Sequence, residues 1–145
     1  MAQVPVAEGI LSIPTRDSGE HPHLVGSRCT ACGIVTFPAQ DGCPRCASTA
    51  MEGHRLARTG RLWAWTTQDF PPPAPPYLGA TGRDFTPFGI GYIELGDLKV
   101  ESRLTTTDPD VLHAGLEMEL VLVPFRTDDD GNEVVTFAFA PVEGA

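Results

Sequence analysis

The four cysteines of this chain stand in two pairs that have the spacing of a metal site. Two residues separate Cys29 from Cys32, and two separate Cys43 from Cys46. A Cys-x-x-Cys loop brings two thiolates to one ion, and two such loops supply the four tetrahedral ligands of a structural Zn²⁺ site. We therefore predict one structural zinc ion per chain. Four protein ligands leave no open coordination position, which argues against a catalytic zinc.

Two other uses of paired cysteines fit this sequence less well. Disulfides need an oxidising compartment, and a redox Cys-x-x-Cys centre usually opens a helix of a βαβ unit; the sequence indicates neither context. Gly33 and Pro44 favour tight metal-binding loops, because glycine adopts positive φ and proline fixes φ. His21 and His23 lie upstream as possible substitute ligands, but we expect them to be surface residues.

Length and charge restrict the kind of partner. A chain of 145 residues accommodates a small metal module and one larger core. Nineteen acidic and ten basic residues give a net charge of -9, which disfavours a nucleic-acid surface. The first residues lack the pattern of a signal peptide, and no apolar run is long enough to span a membrane. These features predict a soluble, cytoplasmic protein with no membrane contact.

Charge is distributed unevenly along the chain. Residues 28–61 contain five arginines and two acidic residues, a local charge of +3, whereas the rest of the chain carries -12. One interpretation is a solvated face that adds solubility or meets an acidic partner, and the other is a contact for the phosphates of a nucleotide-like ligand. Charge alone does not choose between them. The arginines are Arg28, Arg45, Arg55, Arg58 and Arg61.

Three segments are predicted along the chain. Residues 1–23 are rich in proline, glycine and polar groups, and we expect an extended arm that becomes ordered, if at all, against something else, for which a partner is one candidate. Residues 24–50 form the metal module, with a short strand around Ile34 to Phe37 that ends at Pro38. Residues 51–145 follow as a β domain.

Runs of five to ten strand-forming residues, separated by turn signals, predict five strands in this β domain. Asp108 and Pro109 indicate a single helical turn between the third and fourth strands, stopped by Gly115. Five strands with a helical element at that point match the OB-fold, a small Greek-key barrel. The predicted fold is therefore mainly β. The strands are expected at residues 61–68, 88–95, 98–104, 116–125 and 133–140.

Residues 70–87 form a proline-rich loop between the first two predicted barrel strands. Its prolines favour polyproline II geometry, which presents the flanking Phe70 and Tyr77 at a low entropic cost and suggests a docking loop. Trp63 and Trp65 alternate along one strand and are expected to share a face. The simplest expectation is that one packs on the metal module and the other lines the barrel. The alternative is that these tryptophans, with Phe70 and Tyr77, contact a partner.

Recognisable catalytic machinery is not evident in the sequence. It shows no glycine-rich phosphate loop, no Gly-x-Ser-x-Gly elbow and no His-Glu-x-x-His helix, and the cysteines are assigned to metal. We therefore name no catalytic residue. An enzyme whose site forms from loop carboxylates stays open, but charged residues at turns and on strand faces are usually solvated. These carboxylates are Asp69, Asp84, Glu94 and Glu101.

As an ordered set, these motifs resemble the acyl-CoA-associated family in which a rubredoxin-like zinc ribbon precedes an OB-fold. The similarity extends over residues 24–141. This chain differs from many relatives at the N-terminus, where they carry a helix and it has the predicted extended arm. The motifs lie at residues 27–33, 37–38, 43–46, 59–66, 87–95 and 113–118.

This resemblance implies an accessory subunit that has no activity alone and assembles with a thiolase-fold enzyme. Such enzymes include thiolases, synthases and aldolases that shorten CoA-linked steroid side chains, with the retro-aldol type slightly preferred here. The resemblance implies a hetero-oligomer that binds acyl-CoA at the shared complex. It also makes Arg55, Arg58 and Arg61 candidates for contact with the CoA phosphates or with an acidic patch on the partner.

A single-stranded nucleic-acid-binding module is the main alternative. OB barrels and zinc ribbons both occur in such proteins, and the aromatic residues named above could stack on bases. The net charge of -9 argues against this function.

Overall fold

Strands make up nearly all regular structure in this computed structural model, which describes residues 2–15 and 17–143. The single helical element in these residues is a 3-10 turn at Gly82–Asp84. Within the same ranges, no helix has the length and apolar character needed to cross a bilayer. The strands are β1 (Gln3–Pro5), β2 (Leu11–Ser12), β3 (His23–Cys29), β4 (Val35–Thr36), β5 (Met51–Arg55), β6 (Thr59–Gln68), β7 (Phe88–Leu95), β8 (Leu98–Leu104), β9 (Glu117–Thr127) and β10 (Glu133–Pro141).

Five of these strands close into a barrel. The order is β10-β8-β7-β6-β9, and β9 also pairs with β10, so the ring of strands is closed, with β6 meeting β9 only at Thr59 to Arg61. All neighbours are antiparallel except β8 and β10, which run parallel. This is the OB-fold, and the fold prediction is confirmed. Strands β7 and β8 have the predicted bounds, and the turn between them contains Gly96 at a φ of 69°.

The metal module is a separate small sheet built around β3. Strands β2, β4 and β5 all pair antiparallel with β3. The predicted domain boundary at residue 51 places β5 in the β domain. In the structure, β5 pairs along Val25 to Cys29, because the chain returns beside β3 immediately after the second metal-binding loop.

The N-terminal arm lies against its own chain, and not against a partner, which was one candidate for ordering it. β1 runs parallel to β10, with Gln3 opposite Glu133, and β2 pairs with the start of β3. Leu11 enters the hydrophobic core. These pairings satisfy backbone groups of the arm and bury an apolar side chain without a second protein.

The ribbon sheet and the barrel share one hydrophobic core. Leu24 of β3 and Leu56 of the connecting segment pack in the same cluster as Leu62, Met118 and Phe139 of the barrel. Leu24, Leu62, Met118 and Phe139 are fully buried. The two modules are therefore joined by packing as well as by the chain.

The segment between β8 and β9 is a turn, so the prediction of a helical turn there is only partly right. Asp108 does act as a cap, since its side chain accepts a hydrogen bond from the Asp110 N–H at 2.9 Å and its carbonyl accepts from Leu112 at 3.0 Å. The helix does not develop, because Gly115 donates to the carbonyl of Leu62 at 2.7 Å. This bond draws the chain back onto β6.

Candidate metal centre and partner surface

The four cysteine sulfur atoms form one compact cluster. All lie within 4.8 Å of one another. The Cys29 and Cys46 sulfurs are 3.6 Å apart, as are those of Cys32 and Cys43. Tetrahedral zinc with Zn–S bonds of about 2.3 Å requires sulfur separations of about 3.8 Å. The cluster therefore fits one Zn²⁺ ion with four thiolate ligands and confirms the predicted structural zinc site.

The two metal-binding loops repeat the same backbone geometry. Gly33 donates to the carbonyl of Cys29 at 2.8 Å, and Ala47 donates to that of Cys43 at 2.9 Å. Both residues after the second cysteine of each pair adopt positive φ, 84° at Gly33 and 63° at Ala47. Glycine suits this conformation, as the sequence predicted at Gly33, but alanine at the equivalent position of the second loop was not anticipated.

Backbone N–H groups prepare two of the sulfur atoms for metal binding as thiolates. The N–H of Cys32 lies 3.5 Å from the Cys29 sulfur and is the main cause that lowers the pKa of Cys29 to about 6. The N–H of Cys46 likewise lowers the pKa of Cys43. The N–H of Ser48 acts to lower the pKa of Cys46, but hydrogen bonds with the Cys43 and Cys29 sulfurs outweigh it and raise that pKa to about 12. Zinc binding displaces such protons.

The three candidate CoA-binding arginines lie in different surroundings. Arg55 is exposed on β5, in the ribbon sheet, and its side chain makes no hydrogen bond to another described residue. Arg58 is half-buried, and its guanidinium donates to the carbonyls of Pro22 at 2.9 Å and Leu120 at 3.2 Å. Arg58 thereby ties the arm, the connecting segment and β9 together.

Arg61 has acidic neighbours. It pairs across the sheet with Glu94 and with Glu117, and the three residues line one shallow cleft of about 420 Å³. Its guanidinium donates to the carbonyl of Gly115 at 3.1 Å. These carboxylates reduce the positive potential that a phosphate would meet at Arg61.

Trp63 and Trp65 lie on opposite faces of β6, which corrects the expectation of a shared face. Leu62 pairs with Ile93 and Ala64 with Tyr92, so Trp63 is the extra residue of a β-bulge. The bulge shifts the alternation, and Trp65 stands opposite the inward-facing Gly91. Trp63 is 52% exposed and Trp65 is 40% exposed.

Trp63 lies on the outer barrel face with two residues that the sequence pattern did not single out. Its ring meets Tyr92 edge-on with centroids 6.1 Å apart, and the Lys99 Nζ lies 4.9 Å from its centroid. Strand alternation across the hairpin of β7 and β8 is the signal that groups Tyr92 with Lys99, since both face outward. The expected packing of one tryptophan on the ribbon is replaced by this outer-face cluster.

The proline-rich loop is anchored to the barrel at Tyr77. The Tyr77 ring meets Phe125 of β9 with centroids 5.9 Å apart, and the hydroxyl of Tyr77 donates to the carbonyl of Ala80 at 3.0 Å. Arg103 reinforces this region, because its guanidinium lies 3.7 Å from the Phe88 ring centroid. Phe70 is 71% exposed. Tyr77 is thus partly committed to intrachain packing, while Phe70 is presented to solvent.

A four-cysteine zinc ribbon joined to an OB-fold barrel defines the class of this protein. Its family follows from two family models: the ChsH2 rubredoxin-like zinc ribbon domain matches residues 16–52, and the ChsH2 C-terminal OB-fold domain matches residues 53–123. The chain belongs to this ChsH2 family, and the predicted resemblance is confirmed.

Individual relatives agree with this assignment. The chain is 29% identical over 125 residues to benzoylsuccinyl-CoA thiolase subunit BbsA of Thauera aromatica, covering 86% of this chain and 80% of that protein. It is 28% identical to a DUF35 domain-containing scaffold protein of Methanocaldococcus jannaschii, covering 83% and 82%. A solved structure titled Ltp2-ChsH2(DUF35) aldolase shares the fold, with a TM-score of 0.59, 23% identity, and coverage of 82% of this chain and 84% of that one.

Proposed function

We propose that this chain is a zinc-binding accessory subunit of a thiolase-like enzyme that acts on acyl-CoA substrates. The observation that carries the proposal is the match over most of the chain to a relative named as a thiolase subunit, together with relatives named as scaffold proteins. The closed four-thiolate site supports a structural task for the metal, because it leaves no position for a substrate. Thiolate ligands also favour a reducing compartment such as the cytoplasm.

In this proposal the partner supplies the reactive groups, and this chain supports the partner. The exposed aromatic side chains Trp63, Trp65 and Phe70 are candidates for the contact, since aromatic residues dominate the buried centres of protein interfaces. Tyr77 contributes through the loop that it anchors. The expected assembly is a hetero-oligomer.

Acyl-CoA contact is proposed first for Arg55. Its guanidinium is exposed and makes no hydrogen bond within the described residues, so it is free to pair with a phosphate. Arg58 already donates to two carbonyls, and Arg61 stands between two carboxylates. We therefore rank Arg55 ahead of Arg61, and Arg61 ahead of Arg58, as residues whose loss would weaken CoA binding without unfolding the chain.

The chemistry proposed for the complex is cleavage or formation of a carbon–carbon bond next to a CoA thioester. The family resemblance favours retro-aldol cleavage in steroid side-chain degradation, whereas the name of the Thauera relative points to thiolysis. Both reactions use the same partner fold and the same kind of substrate.

Coexpression with each thiolase-fold protein of the same genome tests the proposal. A stable complex should form with one of them, and the complex should turn over acyl-CoA substrates in thiolysis or retro-aldol assays that neither protein supports alone. Arg55→Ala should raise the KM for acyl-CoA in that complex, while Arg45→Ala serves as the matched control from the same basic segment. Turnover by this chain alone, or failure of every candidate to form a complex, would overturn the proposal.

Single-stranded nucleic-acid binding is kept as a second candidate because of one observation. An OB barrel that exposes Trp63, Trp65 and Phe70 offers rings on which bases can stack. Fluorescence titration with oligonucleotides at low salt decides the matter: micromolar, salt-dependent binding supports this function, and no binding removes it.

A further inference from the structure

Strand β6 has backbone partners on both sides only at Arg61 and Leu62. Thr59 to Arg61 pair with β9, Arg61 also pairs with Glu94 of β7, and Leu62 exchanges hydrogen bonds with Gly115 and Leu116. Beyond that point, Trp63 to Gln68 pair with β7 alone. Among the described residues, no backbone group bonds to the other side of this part of β6. The barrel therefore contains a local open edge, defined here as residues 63–68.

The register identifies which backbone groups face the open edge. Leu62, opposite Ile93, directs its N–H and C=O away from β7. In an antiparallel pair this orientation repeats at every second residue, so the β6 residues opposite Gly91 and Gly89 also direct their N–H and C=O groups away from β7. Those partners are Trp65 and Thr67. Two N–H donors and two C=O acceptors thus point outward at a regular strand spacing.

Residues 63–68 lack the devices that usually block an open edge. The sequence Trp-Ala-Trp-Thr-Thr-Gln contains neither charge nor proline, and it is rich in residues that favour strands. The neighbouring edge on β9 differs. The N–H of Leu120 on β9 points away from β10 and donates to the carbonyl of Arg58. Pro124, opposite Val135, lies four residues further along β9 and therefore has the same backbone orientation. The N–H that proline lacks would thus have pointed away from β10, toward the open side. One edge is protected, and the other is left available.

We propose that an extended segment of the thiolase-fold partner adds a strand to β6 at Trp65 and Thr67. The inference rests on the proposed function and goes beyond it by naming the contact and its chemistry. Backbone hydrogen bonds provide affinity in this mode, and an uncharged segment suits an edge without charges. A second copy of this chain is disfavoured, because two molecules of net charge -9 repel each other.

The tryptophans are placed to support such a strand from both faces. Trp63 lies on the outer face and Trp65 on the inner face of the same edge, and each retains a large exposed fraction. A strand added beside β6 brings its side chains next to both rings, where aromatic and β-branched cross-strand pairs are stabilising. The bulge at Trp63 produces this two-sided arrangement.

Residue-resolved amide hydrogen exchange on the purified complex with the thiolase-fold subunit tests the contact. The N–H groups of Trp65 and Thr67 should exchange about tenfold more slowly, or slower still, in the complex than in the free chain. The N–H of Thr66 faces β7 in both states and should change little.

Two variants at one position separate backbone from side-chain contact. Thr67→Pro removes the outward N–H and should weaken the complex by about tenfold or more, while the melting temperature of the free chain changes by no more than about 2 °C. Thr67→Ala keeps the N–H and should leave the dissociation constant within about threefold. Exchange measurements on the unmodified chain decide the question if the proline variant does not fold.

The outcomes distinguish this inference from the proposed function. If a complex forms and Trp65 and Thr67 stay unprotected, the strand addition is overturned while the subunit role stands. If protection of these amides rises with the concentration of the free chain, a second copy occupies the edge, and the inference also fails. If no thiolase-fold protein binds, both proposals fail together.

Discussion

Ala47 carries a conformational cost that a single substitution should remove. Its φ of 63° is the one positive value at a non-glycine residue in the described parts of the chain. This left-handed conformation costs an L-residue about 1–2 kcal/mol relative to glycine, and glycine in turn raises the entropy of the unfolded chain by about 0.4–1 kcal/mol. Ala47 is exposed, so removal of its methyl group loses little packing. Ala47→Gly should therefore stabilise the second loop by roughly 0.5–1 kcal/mol.

Zinc competition against a chromogenic chelator measures this effect, because the loop folds around the metal and its stability enters the apparent affinity. Ala47→Gly should bind zinc about two- to fivefold more tightly. Gly33→Ala in the first loop is the reverse substitution at the equivalent position. Its new methyl group would lie at an ordinary contact distance of 3.7 Å from Arg28 Nη2, so no clash is added. The unfavourable backbone conformation alone should therefore weaken zinc binding about fivefold. Equal affinities for Ala47→Gly and the unmodified chain, alongside a weakened Gly33→Ala, would show that Ala47 is not strained.

Three further predictions concern metal, core and pH. Chelation of zinc should abolish the amide protection of residues 29–50 while β7 and β8 remain protected, as measured by NMR hydrogen exchange; simultaneous loss throughout would contradict this. Phe139→Ala, at a fully buried ring, should lower the free energy of unfolding by about 3–5 kcal/mol in urea titrations, whereas Phe70→Ala, at an exposed ring, should change it by no more than about 0.5 kcal/mol. The backbone N–H of Asn132 donates to Asp128 and is the main cause that lowers the pKa of this carboxyl group. The ionised carboxylate therefore stabilises the folded chain at pH values above its ordinary pKa of 3.8, and this stabilisation is lost as the pH falls through the lowered pKa. Asp128→Ala should consequently reduce the melting temperature at pH 6 more than at pH 2, with Asp129→Ala as the control, and an equal reduction at both values would refute the assignment.

Local signals were sufficient to predict most of the barrel. Strand β8 alternates apolar and polar residues, β7 is a largely apolar run, and a short turn joins them, so their bounds follow from residue pattern and turn chemistry. The zinc site was equally accessible, because two Cys-x-x-Cys loops contain all four ligands and the metal brings them together. In both cases the information lies within a few residues of the feature itself.

Features that depend on distant parts of the chain were not predictable in this way. Strand alternation alone predicts that Trp63 and Trp65 share a face. The β-bulge that places them on opposite faces depends on how β6 pairs with β7, which the local sequence does not reveal. The same reason applies to Arg58, which looked like a surface cation but donates to carbonyls 36 and 62 residues away. The pairing of β1 with β10 joins the two ends of the chain and has no local signal.

Strand β3 explains how a small metal site can influence a barrel that has its own core. Its first half contributes Leu24 to the common core, and its last residue is the zinc ligand Cys29. Zinc therefore holds one end of a strand whose other end is packed against barrel residues. Loss of the metal frees the Cys29 end, but burial of Leu24 and the two hydrogen bonds of Arg58 still fix the barrel end. The open edge of β6 belongs to the barrel, so its geometry should survive metal loss even where the ribbon does not.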